Sequence, residues 1–442
     1  MKIHFVGIGG IGMSALAQHM AKKGHIISGS DAVKSEVTDM LESKGIKVFI
    51  GHSDKNVFGA DLCVATSAAS VDNPEILYCV QNKIGVLARQ ELLGKEFNAY
   101  KTRIAVSGTH GKTTTCGMLA AAFENCGHMP TAFIGGMTKR GNYIEGGEPC
   151  IAEACEYKAS FLTLRPTIGV ILNVETDHLD YYKDLLGVER AFSKFASKVD
   201  KDGYLVYNGD QVPEHILKIT KAKRISYGFE NNNDYQAVNL KHKKGVYAFD
   251  VIRDGKYFYS VELRIRGRHN IYNALATVVV CDLLNLDASK CAEGINLFEG
   301  VERRWTVVEN EFTNVVLDYA HHPNEIRALI ETARQQGYEK IVMVFQPHTY
   351  SRTQTLFRDF VTCFKGVNEL ILLPIYAARE LPIPGVTSER LTRVINEVGI
   401  TEARFAKDFD DCANIIKERA GKDDLVLVVG AGDVNKLVNL LV

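Results

Sequence analysis

Thirteen residues, Arg103-Ile-Ala-Val-Ser-Gly-Thr-His-Gly-Lys-Thr-Thr-Thr115, dictate the architecture around them. The short apolar run at 104–106 predicts a buried parallel strand. It breaks at Gly108-Thr-His-Gly111, and Lys112 with three threonines then opens a segment of helical apolar spacing (Met118, Leu119, Ala122, Phe123). Strand, glycine loop and helix start bring backbone N–H groups together at the positive end of a helix dipole, where a phosphate binds. Gly108, Thr109, His110, Gly111 and Thr114 then form the cradle of a nucleoside triphosphate. Lys112 reaches its outer phosphates, and the Thr113 hydroxyl faces magnesium. The consensus loop is longer and has a glycine where this chain has Val106. The competing explanation is an ordinary strand–turn–helix with a chance Gly-Lys-Thr.

A second glycine turn lies at the N-terminus. Apolar runs at 3–6, 26–28, 48–50, 62–65 and 84–86 predict a parallel sheet. The first strand ends in Gly7-Ile-Gly9-Gly10-Ile11-Gly12, and Asp31 follows nineteen positions later. Strand, glycines, helix and acid match the dinucleotide fingerprint and argue for a diphosphate ligand with a ribose nearby. Glycines used only for close packing are the alternative.

The pattern repeats down the chain. Strands are predicted at 131–134, 150–153 and 168–172, and again at 315–317, 341–345, 370–373 and 425–429, with helices between them. From 204 to 265 the strands shorten, with turns at Asn208-Gly209, 230–233, Lys244-Gly245 and Asp254-Gly255, a small antiparallel patch packed on the central unit. The fold class is α/β in three consecutive domains, as a 442-residue length suggests. They are a Rossmann-like domain (1–99), a central mononucleotide-binding domain (100–299) and a Rossmann-like α/β domain (300–442).

A net charge of −1 gives no field for nucleic acid. No apolar run is long enough to span a membrane, and the first residues run straight into a strand without a signal core, so a cytoplasmic protein is expected. Ten scattered cysteines without a Cys-x-x-Cys pair read as reduced small hydrophobes rather than a disulfide framework or zinc site.

Polar clusters sit at predicted strand ends, where open parallel sheets bind ligands. Glu153 ends one strand and His178 follows the next, in Asp177-His-Leu-Asp180. Magnesium takes oxygen ligands, so Glu153 suits it; His178 is either a less usual ligand or a helix cap. Glu156 faces either the same site or solvent. His269 and Asn270 open a helix and either cap it or bond a flat heterocycle. Arg303-Arg304-Trp305 puts two guanidinium forks at the start of the third unit, for a γ-phosphate or for solvent. Asp318-Tyr-Ala-His321-His322-Pro323 and Phe345-Gln-Pro-His348-Thr-Tyr-Ser-Arg352 each follow a strand. They should be neighbours lining a pocket for a small acid or zwitterion held by Arg352. Gly430-Ala-Gly432-Asp433 reads as a tight turn.

Taken in order, Gly7–Gly12, Gly108–Thr113, Glu153-Ala-Cys-Glu, Asp177-His-Leu-Asp-Tyr-Tyr182, Gly267-Arg-His-Asn, Arg303-Arg304, Asp318–Pro323 and Phe345–Arg352 resemble the Mur ligases over essentially the whole chain. The resemblance implies an N-terminal domain for a UDP-sugar, a central ATPase domain and a closing C-terminal domain. It implies the branch that joins L-alanine to the lactyl carboxylate of UDP-N-acetylmuramate, in cytoplasmic peptidoglycan precursor synthesis, by a monomer or dimer.

Carried over by position, Lys112 and Thr113 meet the β- and γ-phosphates and magnesium, for which manganese can substitute. Glu153 and His178 hold metal, His269 and Asn270 lie against the ATP base or phosphates, and Asp318 is near its ribose. Arg304 touches the γ-phosphate. His321, His348 and Arg352 belong to the amino-acid and carboxylate site, and Gly7, Gly9, Gly10, Ile11, Gly12 and Asp31 hold UDP. Two departures stand out: Glu153-Ala-Cys-Glu-Tyr-Lys158 lacks two acids common in the family, and Trp305 replaces the usual phenylalanine. The rival readings are an NAD-dependent oxidoreductase fused to an ATPase, a nucleotide-gated binding module, and a family member that attaches a preformed peptide.

Overall fold

The computed structural model describes residues 1–177, 179–308, 312–378 and 380–441. The first sheet has five parallel strands in the order Lys47–Ile50, Ile26–Asp31, Lys2–Val6, Leu62–Ala65, Gly85–Ala88. The connections change direction across Lys2–Val6. The glycine turn that follows this strand therefore opens at a topological switch point, the place where such sheets leave a crevice.

The central sheet has ten strands. Arg103–Ser107 lies between Ile168–Ile171 and Gly147–Glu153, all parallel, with Val106 beside Glu153 and Ser107 beside Ile171. In-register pairing thus delivers the phosphate loop, Glu153 and the segment from Leu172 onward to one rim. Of the antiparallel patch expected over 204–265, Tyr204–Asn208 and Lys223–Gly228 are instead parallel strands that extend the sheet; only Tyr235–Lys243, Val246–Arg253 and Lys256–Arg266 pair antiparallel with one another, as the outer edge of this same sheet rather than a layer on it. Their turns carry positive φ at both Lys244-Gly245 and Asp254-Gly255, the backbone twist that matches a two-residue hairpin.

The third sheet has six strands, with Thr306–Val308 antiparallel to Asn314–Asp318 and the rest parallel. Asp318 and Phe345 both align with Val429, so the loops after these strands share one end. The strand Leu425–Val429 is buried throughout, as an apolar run covered on both faces must be. The helix Pro323–Arg334 buries Ile326, Leu329, Ile330 and Ala333, an i, i+3, i+4, i+7 stripe. Each large side chain there contributes about 1.5–3 kcal/mol, and the stripe fixes where the helix N-terminus points.

The first and central units share an apolar cluster, with Met20, Leu93 and Phe97 in the same core as Phe133, Phe161 and Leu164, and a polar clamp beside it. Asn142, fully buried, donates to Ile11 O and Ser14 Oγ at 2.7 Å and accepts from Gln18 Nε2 at 3.0 Å. The helix Ile11–Lys22, and with it the glycine turn, is thereby clamped to the central sheet. Among the described residues no helix is long and apolar enough to cross a membrane.

Candidate functional site

The phosphate loop is built on glycine where its backbone requires it. Gly111 has φ +85°, and a Cβ there would strike Asn273 Oδ1; Gly108 has φ +145°, and its Cβ would lie 2.9 Å from Leu172 Cβ. Neither position accepts a side chain without displacing the rim. Asn173 holds the loop from the next strand: its Oδ1 accepts from His110 N–H at 2.8 Å and its Nδ2 donates to His110 O at 3.1 Å. The helix Lys112–Asn125 then starts at the loop with its first N–H groups without intrahelical acceptors.

Lys112 folds back over the loop, donating to Thr109 O at 3.0 Å and pairing with Glu156 at 2.9 Å. Glu156 is 2% exposed, which resolves its two sequence readings in favour of the site. Burial alone would favour the neutral amine; Glu156 and the nearby Glu153 outweigh it and hold the Lys112 pKa above its usual range. The Thr113 hydroxyl donates to Glu153 Oε2 at 2.8 Å, and Gly135 N–H donates to the same oxygen at 3.1 Å. Thr113 and Glu153 thus offer two hard oxygen donors side by side, a set that fits magnesium. His178 lies outside the described residues.

Opposite stands the N-terminus of the helix Pro323–Arg334. Glu325 reaches back to the His321 and His322 N–H groups at 3.0 and 3.3 Å, a capping-box arrangement. The same carboxylate meets His110 Nδ1 at 3.0 Å, His321 Nδ1 at 3.5 Å and Arg304 at 3.6 Å. One acid therefore joins the phosphate loop, the paired arginines and the third unit. Burial opposes its charge, but His321, His110 and Arg304 hold its pKa well below normal. Two further contacts cross between the units: His322 Nε2 to Thr176 O at 3.2 Å, and Arg352 Nη2 to Asp177 Oδ1 at 3.1 Å.

The histidines divide by charge. Burial would lower the pKa of His110, but Glu325 and Glu175 raise it to about 9. Burial lowers His269 to about 4, helped by Arg304, and lowers His321 to about 3. At neutral pH His110 is a cation facing two carboxylates, while His269 and His321 are neutral. His110, Glu175 and His322 place possible metal-ligand atoms within 4.8 Å of one another, and a metal there would have to displace the His110 proton.

His110 also sets a pH dependence. Its folded pKa of about 9 lies above the ordinary 6.5, so its stabilisation is complete below pH 6.5 and is lost as pH rises through 9. We expect the unfolding free energy of the wild type, from denaturant titrations, to fall across that window relative to His110→Asn by on the order of 3 kcal/mol. Parallel curves for the two proteins would refute the assignment.

A cavity of about 500 Å³ lies between the central and third units, lined among others by Phe229, Arg268, His269, Tyr272, Arg304 and Asp318. It has the size and mixed lining of a small-ligand site. Asn270 turns inward: it donates to Arg266 O at 2.6 Å and accepts from Asn273 at 2.8 Å, bracing the helix under Gly111. The paired arginines separate. Arg303 is tied to the Gly430 and Gly432 carbonyls at 2.7 and 2.9 Å, which gives that tight turn its purpose, and Arg304 is left facing the cavity. Asp318 accepts from the Trp305 and Ala320 N–H groups, both at 2.8 Å, anchoring the arginine loop. His348 stacks on Tyr376 with ring centres 5.6 Å apart and lies 6.0 Å from His321; Arg352 Nη1 is 3.1 Å from His348 Nδ1. The two predicted loops are neighbours.

In the first unit the turn is closed by its own backbone. Gly7 and Ile8 donate to Ser30 O, and Gly9 N–H donates to Asp31 Oδ2 at 2.9 Å. Gly10, Ile11 and Gly12 form the helix start, and a Cβ on Gly12 would lie 2.9 Å from Arg89 Nη1. That arginine, a natural partner for a diphosphate, was missed in the sequence because it sits 77 positions beyond Gly12 in no pattern. Asn173 and Glu325 were missed too. The only available signal for Glu325 was its place three residues after His322, the spacing of a helix cap.

Comparison with known proteins follows the same order along the chain. Profiles described as "Mur ligase family, catalytic domain", "Mur ligase middle domain" and "Mur ligase, glutamate ligase domain" match residues 2–101, 106–281 and 303–432. The chain is 45% identical, over 98% of its length and 96% of the relative's, to a UDP-N-acetylmuramate–L-alanine ligase of Clostridium botulinum (strain Okra). A solved UDP-N-acetylmuramate–alanine ligase from Thermotoga maritima is 30% identical, with a TM-score of 0.85 covering 99% of this chain and 97% of that one. A murein peptide ligase from Psychrobacter arcticus shares the fold at 21% identity and a TM-score of 0.77.

Proposed function

The chain belongs to the Mur ligase family, and on that premise we propose that it joins L-alanine to the lactyl carboxylate of UDP-N-acetylmuramate with consumption of ATP, in peptidoglycan precursor synthesis in the cytoplasm. The observation that carries this reading is the meeting, across one rim, of the phosphate loop, through His110 and Glu325, with the Arg304 and His348–Arg352 loops of the third unit. Residues 1–99 receive the UDP-sugar, 100–299 bind ATP and 300–442 close over the amino acid. The Gly7–Gly12 turn with Arg89 takes the diphosphate, and Asp31 orders the turn.

A carboxylate is a poor electrophile, so it is first phosphorylated by ATP to an acyl phosphate; the neutral amine of L-alanine then attacks and phosphate leaves. Lys112, the Gly108–Gly111 amides and Arg304 stabilise the charge spread over the transferring phosphoryl group. Thr113 and Glu153, with His178, would hold magnesium, which neutralises phosphate charge when bound. Protonated His110 adds positive charge beside the loop. Arg352 binds the amino-acid carboxylate and gives up its pairing with Asp177 to do so, while His348 orients the amine. Phe229, Tyr272 and Arg268 offer flat faces to the ATP base. Closure of the third unit would supply the last contacts and exclude water.

The test is phosphate release with UDP-N-acetylmuramate, ATP and a panel of amino acids and peptides. We expect release with L-alanine and none with a tripeptide; turnover with the tripeptide instead would assign the peptide-attaching branch. No release with either would refute the ligase.

A further inference from the structure

Two cysteines meet at the far end of the helix that leaves the phosphate loop. Cys126 caps the C-terminal end of the helix Lys112–Asn125, the helix that begins with Lys112 and Thr113, and is partly exposed. Cys291 is buried in the helix Ala288–Leu297, and the two sulfurs are 3.4 Å apart. A disulfide needs about 2.05 Å, so small side-chain rotations suffice to bond them. The helices cannot easily separate to avoid this: a Cβ on Gly294 would lie 2.7 Å from Ala121 O, so their backbones touch. Downstream of Cys291 the chain runs through Phe298, packed on Gly117, and Val301, packed on Gly136, to Arg304. The pair therefore sits where the phosphate-loop helix meets the segment that leads into the third unit.

We propose that Cys126 and Cys291 are a redox modification site, closed to a disulfide by a peroxide and coupled to turnover. The Cys291 thiolate attacks hydrogen peroxide, giving a sulfenic acid and hydroxide. The Cys126 thiol then attacks that sulfur, forming the S–S bond and releasing water. Two thiols are oxidised by two electrons and one peroxide is reduced. Hydrogen bonds from Cys281 and Cys126 lower the pKa of Cys291, which favours it as the first nucleophile. Cys126 is the partly open edge through which a small oxidant reaches it. The covalent bond removes the sliding that backbone contact alone still permits between the phosphate-loop helix and the chain that leads to Arg304.

The experiment treats the full chain with hydrogen peroxide, maps it by non-reducing digestion and mass spectrometry, and follows ligase turnover. We expect a peptide pair linked through Cys126 and Cys291 that dithiothreitol removes. Turnover should fall about tenfold or more, the scale of a misplaced catalytic group, and return on reduction, while Cys126→Ser keeps its activity under peroxide. Absence of the linked pair in the wild type overturns the site. A linked pair with unchanged turnover, or equal inactivation of Cys126→Ser, overturns the coupling. The turnover arm rests on the proposed ligase reading and the mapping arm does not, so a protein without ligase activity still tests the bond.

Discussion

Lys112→Ala should reduce ATP-dependent phosphate release by about 10²–10³-fold or more, the cost of removing one preorganised charge donor from a developing transition state. The ammonium is held at the mouth of the loop by Thr109 O and Glu156. Its charge is kept at neutral pH, because Glu156 outweighs burial and holds its pKa above the usual lysine range. A nucleotide's outer phosphates would exchange for these partners without moving the stem. Loss of the ammonium also takes the cation from the buried carboxylate of Glu156, and breaking such a pair destabilises by about 3–5 kcal/mol. Two effects are therefore mixed in the alanine variant. The double variant Lys112→Met with Glu156→Gln separates them, because it removes both charges while keeping the volume. We expect it to recover thermal stability and remain inactive. Near-normal phosphate release from Lys112→Ala, measured with both substrates, would sink the assignment of the loop.

What could be read from the sequence was what local chemistry requires. Gly108 and Gly111 were visible because only glycine holds those φ values, and Lys244-Gly245 and Asp254-Gly255 because their turn type demands them. Parallel strands were visible as apolar runs, and their register then places Glu153 beside Val106. What depends on packing between units was not visible. Arg303 and Arg304 are neighbours of identical chemistry, and only the Gly430–Gly432 turn decides which of them is tied down. Asn142 stands in no motif, and it is the clamp between the first and central units. The antiparallel strands were placed in the right domain, but sequence spacing does not say whether they extend a sheet or cover it. Asn270, read as a cap or a heterocycle contact, spends its amide on Arg266 and Asn273.

Glu325 is the strongest case of a residue hidden by its local meaning. As the third residue of a capped helix it explains itself, yet the fold brings His110 and Arg304 to the same carboxylate. Substitution should separate the two duties. Glu325→Gln keeps an acceptor for the His321 and His322 N–H groups but removes the charge that holds His110 protonated and Arg304 in place. We expect its thermal midpoint at neutral pH to fall by the part of the His110 stabilisation that Glu325 supplies, and its turnover to fall by about 10²-fold, the effect of letting the phosphate loop and the arginine lose their mutual alignment. Glu325→Ala loses the cap too, worth about 1 kcal/mol, so its midpoint should drop further than that of Glu325→Gln. A third readout connects to titration. With Glu325 neutralised, only Glu175 still raises the His110 pKa, so the loss of stability between pH 6.5 and 9 should shrink in Glu325→Gln. If Glu325→Gln turns over normally and keeps the full pH dependence, the carboxylate is a helix cap and nothing more. If turnover falls and the pH dependence shrinks, charge at this position is what docks the third unit onto the phosphate loop.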